Sequence, residues 1–242
     1  MNLLLLSLMF AGRKDEQIQD LQRQVTQLQE QLNECQSALD EHESEAPPAN
    51  TPEREKEAAD LLSELQDART AWEFEAAMAL LTVLETDYAG TRAAHRANRQ
   101  RAELEVIGKA APDLTVGNGV EYWFDQPGEY GGVTILVFFE EWCPHCRREM
   151  PKMSEWTQSL RDNGELQVIG VTKVTKSSTD EKVRELLVSS NVTFPIAKGN
   201  GVLSEHMNVS GIPAAAVVKD GVVIWRGHPA RLDETVLRAK AY

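Results

Sequence analysis

Residues 133–151 read VTILVFFEEWCPHCRREMP, and the run changes character in its middle. Its first seven residues are mostly β-branched, aliphatic or aromatic, a composition typical of a strand buried on both faces. Two cysteines separated by two residues, Cys143 and Cys146, follow shortly afterwards. The sequence therefore predicts a buried strand that leads into a CxxC motif at the start of a helix.

The four residues of this motif have complementary chemical properties at a helix start. A thiolate in the first helical turn meets unpaired backbone N–H groups and the positive end of the helix dipole, which lower its pKa. Cys143 is predicted to be the exposed nucleophile, and Cys146 to resolve the mixed disulfide that Cys143 forms. Pro144 suits the first helical position, and His145 can stabilise the Cys143 thiolate by charge or by a hydrogen bond. We interpret these residues as a redox-active catalytic site.

Two other interpretations of the cysteine pair stay open. A zinc site would need further ligands, but the whole chain has three cysteines and five histidines. A purely structural disulfide across a two-residue loop would be strained and easily reduced. We expect neither a metal ion nor another cofactor at this site.

Length and charge restrict what the rest of the chain can be. With 242 residues it can hold one domain of typical size and substantial extensions. The formal net charge of -13 would repel a phosphate backbone. We therefore expect no nucleic-acid partner.

The N-terminus carries a short apolar run. Residues 1–12 are as long as the apolar core of a signal peptide and about half as long as a membrane span. Arg13 and Lys14 follow this run instead of preceding it, and no small-residue cleavage site is evident. We predict a signal peptide or short membrane anchor, and hence export to the periplasm or cell envelope. The alternatives are a buried apolar segment and a signal truncated by a wrong start codon.

Residues 15–42 carry a heptad pattern, in which apolar residues recur at alternating steps of three and four. The a positions hold Ile18, Val25, Leu32 and Leu39, and the d positions hold Leu21, Leu28 and Cys35. β-branched residues at a and leucine at d favour a parallel dimer, so we predict a coiled-coil homodimer, with a monomeric helical spacer as the alternative. In a parallel dimer the two copies of Cys35 would face each other and form an interchain disulfide. A small apolar filler is the other interpretation of Cys35.

The middle of the chain divides into a linker and a helical region. Residues 43–55 contain three prolines among polar residues and are predicted to be a linker that cannot continue a helix. Residues 56–110 carry apolar residues at helical spacing, with a stop and restart at residues 87–91. They are predicted to form a helical hairpin region. They resemble the helix pairs of tetratricopeptide-like modules only loosely, because no second copy follows.

Residues 111–242 resemble the TlpA/ResA-like branch of the thioredoxin superfamily, which is of the AhpC/TSA type. The resemblance rests on GKAAPDL at 108–114, FFEEWCPHCRREMP at 138–151, SGIP at 210–213 and VVKDGVVIWRG at 217–227. It implies an α/β thioredoxin fold with a central mixed sheet flanked by helices, preceded here by the all-α region and the coiled-coil helix. It also implies a thiol-disulfide oxidoreductase of the bacterial envelope.

By the same resemblance, the proline of the SGIP element is cis and lies beside the CxxC motif. Pro213 would be that proline, and Ile212 would offer backbone hydrogen bonds to a substrate chain; an ordinary turn proline is the alternative. Together with Trp142, these residues would form an apolar surface that binds an unfolded client segment. The expected partners are protein thiols or disulfides and a redox protein that donates or accepts electrons.

Two departures from the family pattern bear on mechanism. Thioredoxin has a buried aspartate six residues before its first active-site cysteine, and Val137 occupies that position. Glu140 or Glu141 could substitute for it, but both directly precede Trp142 and are expected to be solvated. The Pro-His dipeptide between the cysteines matches the oxidase DsbA better than the reductases of the TlpA group. The direction of electron flow therefore stays open.

The leading functional hypothesis is an exported disulfide reductase or exchanger. The runner-up is a disulfide oxidase or isomerase, which His145 and a dimer with two active sites would suit. A peroxidase would need Thr or Ser three residues before its reactive cysteine, where this chain has Glu140. A non-enzymatic envelope scaffold would have no need of both sulfurs.

Overall fold

The computed structural model describes residue 19, residues 22–34, residue 36 and residues 50–175, 177–232 and 234–241. The chain divides into two compact units, Met1–Ala49 and Asn50–Tyr242. The predicted signal or anchor at residues 1–12 and Cys35 lie outside the described residues, as do parts of the predicted coiled coil and linker. Within the described parts, no helix is both long and apolar enough to cross a membrane.

In the first unit, residues 22–34 form a helix, α1. Val25, Leu28 and Leu32 occupy predicted a and d positions on this helix, and they are 53%, 63% and 60% exposed. Apolar side chains of this size are normally covered in a stable helix. The pairing of two such helices stays a prediction.

The second unit begins with three helices that we call the helical module: α2 (Pro52–Thr70), α3 (Phe74–Thr86) and α4 (Arg92–Leu104). Their apolar faces share one core, which includes the fully buried Leu65, Leu81 and Leu84. The region is thus a three-helix arrangement instead of the predicted hairpin. The additional break lies at Trp72, whose left-handed backbone (φ 60°) turns the chain between α2 and α3.

The predicted linker extends too far toward the C-terminus. Thr51 caps α2 by accepting a hydrogen bond from the Arg54 N–H at 3.2 Å, and Pro52 starts the helix. Proline is tolerated there because its missing N–H would have no partner in the first turn. Residues 52–55 therefore belong to α2, and the linker prediction is wrong for them.

The rest of the second unit is a mixed sheet with helices packed on it. Its strands are β1 (Val120–Trp123), β2 (Val133–Phe138), β3 (Gln167–Thr172), β4 (Ile196–Gly199), β5 (Ala214–Lys219) and β6 (Val222–Gly227). Their order is β1-β4-β3-β2-β5-β6, with β2–β3 and β3–β4 parallel and the other pairs antiparallel. The helices are α5 (Pro144–Asp162), α6 (Asp180–Ser189), α7 (Val202–His206) and α8 (Glu234–Ala241). This arrangement confirms the predicted mixed sheet flanked by helices.

Strand β2 lies in the interior of the sheet and is buried along its whole length. Because side chains alternate along a strand, Ile135 and Val137 enter the core that holds both active-site cysteines. Leu136 and Phe138 enter a separate core cluster. Packing on both faces fixes the strand, and it therefore fixes the point from which the chain continues to Cys143.

The helical module packs on β6 and on the loop that precedes β5. The rings of Trp72 and Trp225 stack with their centroids 6.0 Å apart. The Asn208 side chain donates a hydrogen bond to the Ala102 carbonyl of α4 at 3.2 Å. Helix α4 therefore borders the segment that leads to Pro213.

The substitution Leu81→Ala should lower the free energy of unfolding by about 2–5 kcal/mol, because this side chain is fully buried in the core of the module. Val188→Ala is the control: this side chain is 82% exposed, so the expected change is within about 0.5 kcal/mol. Urea denaturation measures both. Equal effects of the two substitutions would contradict the packing of the module.

Candidate active site

The CxxC motif lies where the chain enters α5. Cys143 is the N-cap residue of this helix, and its Sγ accepts a hydrogen bond from the Cys146 N–H at 3.5 Å. Pro144 is the first helical residue, and Cys146 lies in the first turn. Both thiols are free. The predicted position of the motif at a helix start is confirmed.

The two cysteines are less accessible than the sequence predicts. Cys146 has no exposed surface, and Cys143, expected to be exposed, is only 5% exposed. The Ile212 backbone covers part of Cys143, because Cys143 Sγ lies 3.7 Å from the Ile212 carbonyl oxygen and donates its proton toward it. A molecule that reacts with Cys143 must therefore approach alongside Ile212.

The Ile212–Pro213 peptide bond is cis, as predicted. Ile212 is partly buried and packs against the core cluster that contains both cysteines. Trp142, which directly precedes Cys143, is 53% exposed and presents a large apolar surface. A role for these three residues in binding a client stays a prediction.

His145 contacts an arginine in this structure. Its Nδ1 lies 2.8 Å from Nη2 of Arg148, and because a guanidinium only donates hydrogen bonds, Nδ1 accepts this one. In this arrangement Nδ1 of His145 is engaged with Arg148 and not with Cys143. Across the described residues, no group of three or more His, Cys, Asp or Glu side chains is arranged to hold a metal ion.

Glu140 and Glu141 are buried, which corrects the prediction that both are solvated. They are 9% and 2% exposed. Both residues come shortly after β2, which is buried on both faces. The chain has therefore not yet reached the protein surface at Glu140 and Glu141. Glu140 Oε1 accepts a hydrogen bond from the Lys173 N–H at 3.3 Å, and Glu141 Oε2 lies 3.6 Å from Nη2 of Arg147. The other oxygens, Glu140 Oε2 and Glu141 Oε1, have no hydrogen-bond partner among the described residues.

Burial changes the acid–base properties of the site. Loss of solvent raises the pKa of Glu140 to about 7; the N–H and charge of Lys173 oppose the rise, and the charge of Glu141 adds to it. Burial also raises the pKa of the Cys146 thiol, with further contributions from Cys143 and the charge of Glu140, against a hydrogen bond from the Glu140 N–H. The Cys146 thiol is therefore protonated at neutral pH. This is the opposite of the lowered pKa expected for a cysteine in a first helical turn.

A third acid, Glu149, lies on α5 three residues after Cys146 and is also buried. Arg148 Nε and Lys152 Nζ donate hydrogen bonds to its Oε1 at 3.1 and 3.3 Å. Burial by itself would raise the pKa of this carboxyl, but these two hydrogen bonds and their charges outweigh burial and lower it. Glu149 is therefore an ionised, paired carboxylate at neutral pH. In the sequence Glu149 follows Arg147 and Arg148, so it looks like part of a solvated helix face. Only the structure shows that it is buried.

A cavity of about 250 Å³ lies beside the Ile212–Pro213 bond, and its walls include Glu103, Ser210, Arg226 and His228. Arg226 is 3% exposed, and its guanidinium donates hydrogen bonds to the carbonyls of Met207 and Gly227 at 3.0 and 3.1 Å. These bonds hold the loop before Pro213 against β6. Glu103 belongs to α4, so the helical module forms one wall of the cavity. Ser210 and Arg226 lie in stretches that carry the family resemblance, but no sequence motif relates them to Glu103, which is more than a hundred positions away.

Comparison with known proteins relates the C-terminal part of the chain to a family. Residues 107–226 match the model of the AhpC/TSA family. The thioredoxin-like protein YneN of Bacillus subtilis (strain 168) is 24% identical over 133 residues, which cover 55% of this chain and 77% of that protein. The thiol-disulfide oxidoreductase ResA of Bacillus thuringiensis subsp. konkukian (strain 97-27) is 27% identical over 127 residues, 51% of this chain and 70% of that protein. A solved thiol-disulfide isomerase from Corynebacterium glutamicum aligns with 51% of this chain and 90% of its own, at 20% identity and a TM-score of 0.44.

The family match begins just after the helical module and includes β1 to β5, both active-site cysteines and the Ile212–Pro213 bond. The strand order and the position of the CxxC motif agree with the fold that the sequence resemblance implies. Residues 107–226 therefore form a domain with the fold that the sequence resemblance implies, and their sequence is similar to the AhpC/TSA family.

Proposed function

We propose that this protein is a thiol-disulfide oxidoreductase that acts on protein disulfides as a reductase or exchanger. Cys143 attacks the client disulfide, so that a mixed disulfide forms and the first client thiolate leaves. Cys146 then attacks the Cys143 sulfur and releases the second client thiolate. Two electrons pass to the client, the chain keeps a Cys143–Cys146 disulfide, and a redox partner protein returns it to the dithiol. The proposal rests on the two free thiols at the start of α5, with Cys143 Sγ beside the Ile212 carbonyl.

The client is proposed to lie across Trp142, Ile212 and Pro213. Because Cys143 is 5% exposed, its sulfur is open only to a chain that can lie close to the surface around it. An extended, unfolded segment satisfies this condition better than a disulfide inside a folded domain. The exposed Trp142 ring supplies apolar contact area, and the Ile212 backbone supplies hydrogen-bonding groups.

The acid–base properties of the site favour the reductase direction. Stabilisation of the thiolate form makes a dithiol pair more oxidising. Here burial raises the pKa of Cys146, and Nδ1 of His145 is hydrogen-bonded to Arg148 instead of Cys143. The second candidate, an oxidase or isomerase, is supported by the Pro144–His145 dipeptide. That function would need His145 to leave Arg148 and contact Cys143.

Export and dimerisation complete the proposal. The apolar residues 1–12 are proposed to direct the chain to the periplasm or cell envelope, where a disulfide-exchange enzyme finds its clients, and to attach it there if they are not removed.

The exposed Val25, Leu28 and Leu32 of α1 are proposed to pair with those of a second copy, with residues 15–42 as the interface. Cys35 is the candidate for an interchain disulfide in this dimer.

The substitution Cys143→Ser should abolish the reduction of a disulfide-bonded protein such as insulin, because the attacking sulfur is lost. Cys146→Ser should instead accumulate a mixed disulfide between Cys143 and the client, because the resolving sulfur is missing. Turbidity of reduced insulin measures turnover, and intact mass after acid quenching detects the adduct, both on a Cys35→Ser background. Full activity of Cys143→Ser would show that the mechanism is wrong.

The substitution Leu28→Glu should dissociate the proposed dimer, because it places a charge in the apolar stripe. Gln27→Glu is the matched control, since it adds the same charge outside the a and d positions. Sedimentation equilibrium of the full chain should give dimers for the native protein and Gln27→Glu, and monomers for Leu28→Glu. On a non-reducing gel, Cys35→Ser should remove only a covalent dimer. A monomeric native chain would rule out this interface.

A further inference from the structure

We infer that the cavity beside the Ile212–Pro213 bond binds the carboxylate of a client's aspartate or glutamate, close to the cysteine of the client that reacts. The inference rests on the proposed function, because it assigns a preferred class of client to that site. The group that carries it is Arg226, a buried guanidinium in the wall of this cavity.

The charge of Arg226 has no opposite charge bound to it. Its side chain is 3% exposed and makes no ion pair with any described carboxylate. Its Nε donates a hydrogen bond to the Met207 carbonyl at 3.0 Å, and its Nη1 donates to the carbonyls of Ala215 and Gly227 at 3.4 and 3.1 Å. Its Nη2 makes no hydrogen bond in the part of the chain that the structure describes. Because a buried charge without a counter-charge is costly, an anion in the cavity would be stabilised.

Glu103 lies in the wall of the same cavity, but another arginine already binds it. Arg69 donates hydrogen bonds to Glu103 Oε2 and to the side chain of Gln100. Burial lowers the pKa of Arg226; the charge of Arg69 adds to this effect, and the charge of Glu103 opposes it. Two guanidiniums therefore share one carboxylate, and this part of the protein has an excess of positive charge.

Two further donors border the cavity. Nδ1 of His228 accepts a hydrogen bond from the Ala230 N–H at 3.1 Å, so the neutral imidazole has its proton on Nε2 and can donate it. The Ser210 hydroxyl is the second donor. An ionised carboxylate only accepts hydrogen bonds, so a guanidinium, an imidazole N–H and a hydroxyl are complementary to it.

The size and position of the cavity suit one side chain of a client. Its volume of about 250 Å³ is below the roughly 300–1,000 Å³ of a site that holds a whole small molecule. Ile212 and Pro213 line it, and Cys143 Sγ lies 3.7 Å from the Ile212 carbonyl oxygen. An extended chain advances about 3.3 Å per residue, so a side chain one or two positions from the client's cysteine can enter the cavity.

The helical module contributes to this subsite. Glu103 belongs to α4 and lies outside residues 107–226, which match the family. The Asn208 side chain, hydrogen-bonded to the Ala102 carbonyl at 3.2 Å, holds the loop before Pro213 against the same helix. The preference for acidic clients is therefore a property of the module and the domain together.

The test compares disulfide-linked peptides that differ only at one position within two residues of the cysteine, where they carry glutamate, glutamine or lysine. On a Cys35→Ser background, kcat/KM for the glutamate peptide should exceed that for the glutamine peptide about tenfold at the position that reaches the cavity. The lysine peptide should react more slowly than the glutamine peptide. Arg226→Gln should bring the ratio of glutamate to glutamine to about one. If Arg226→Gln slows all three peptides by the same factor, its role is structural and the inference is overturned.

Glu103→Gln should have the opposite effect. It removes the negative charge from the cavity wall, while its amide oxygen can still accept a hydrogen bond from Arg69, so the ratio should rise about threefold above the native ratio. Arg184→Gln is the control, because it removes a positive charge from α6, away from the walls of the cavity, and it should keep the native ratio. If Arg226→Gln does not fold, Glu103→Gln decides, and an unchanged ratio overturns the inference.

Failure of this inference is distinguishable from failure of the proposed function. If the native protein reduces the three peptides at equal rates at every position, the cavity does not select acidic clients and the inference is wrong, while the function stands. If the native protein reduces none of them, the proposed function is wrong, and the inference falls with it.

Discussion

The burial of Cys146 in the first turn of α5 is the constraint on which the rest of the active site depends. A fully buried thiol keeps its proton at neutral pH, because burial penalises the thiolate more than the helix start favours it. Cys143, at the N-cap, is the sulfur nearer to the surface, so the two thiols have different environments although they are separated by two residues. This difference separates the attacking sulfur from the resolving sulfur. It also means that Cys146 must lose its proton before it can attack.

The fold explains why this arrangement is stable. Strand β2 is packed on both faces, and the chain that leaves it passes Glu140 and Glu141 before it turns into α5. Burying a carboxylate is costly, and the raised pKa of Glu140 reflects mainly its loss of solvent, with a smaller contribution from the charge of Glu141. The Arg226 guanidinium holds the loop before Pro213, and α4 supports this loop. The helical module thus contributes to the surface beside the active site.

The sequence predicted the parts of the structure that depend on local patterns. The composition of residues 133–139 predicted a buried strand, Pro144 predicted a helix start, and the resemblance around Pro213 predicted a cis bond. Sequence patterns failed to predict burial where tertiary packing determines it. The acids before Trp142 look solvated in the sequence, but the strand and helix around them bury both. The same limit applies to the cavity that joins Glu103 to Arg226, since residues more than a hundred positions apart share no local pattern.

The redox equilibrium of the Cys143–Cys146 pair with glutathione tests the central claim most directly. It is measured on a Cys35→Ser background, by alkylation and intact mass across a series of reduced-to-oxidised glutathione ratios. A reversible two-electron transition with a potential of about -270 mV is the predicted result, as for thioredoxin. A potential of about -120 mV would contradict the reductase assignment and favour an oxidase. A pair that forms no disulfide at any ratio would contradict a redox function altogether.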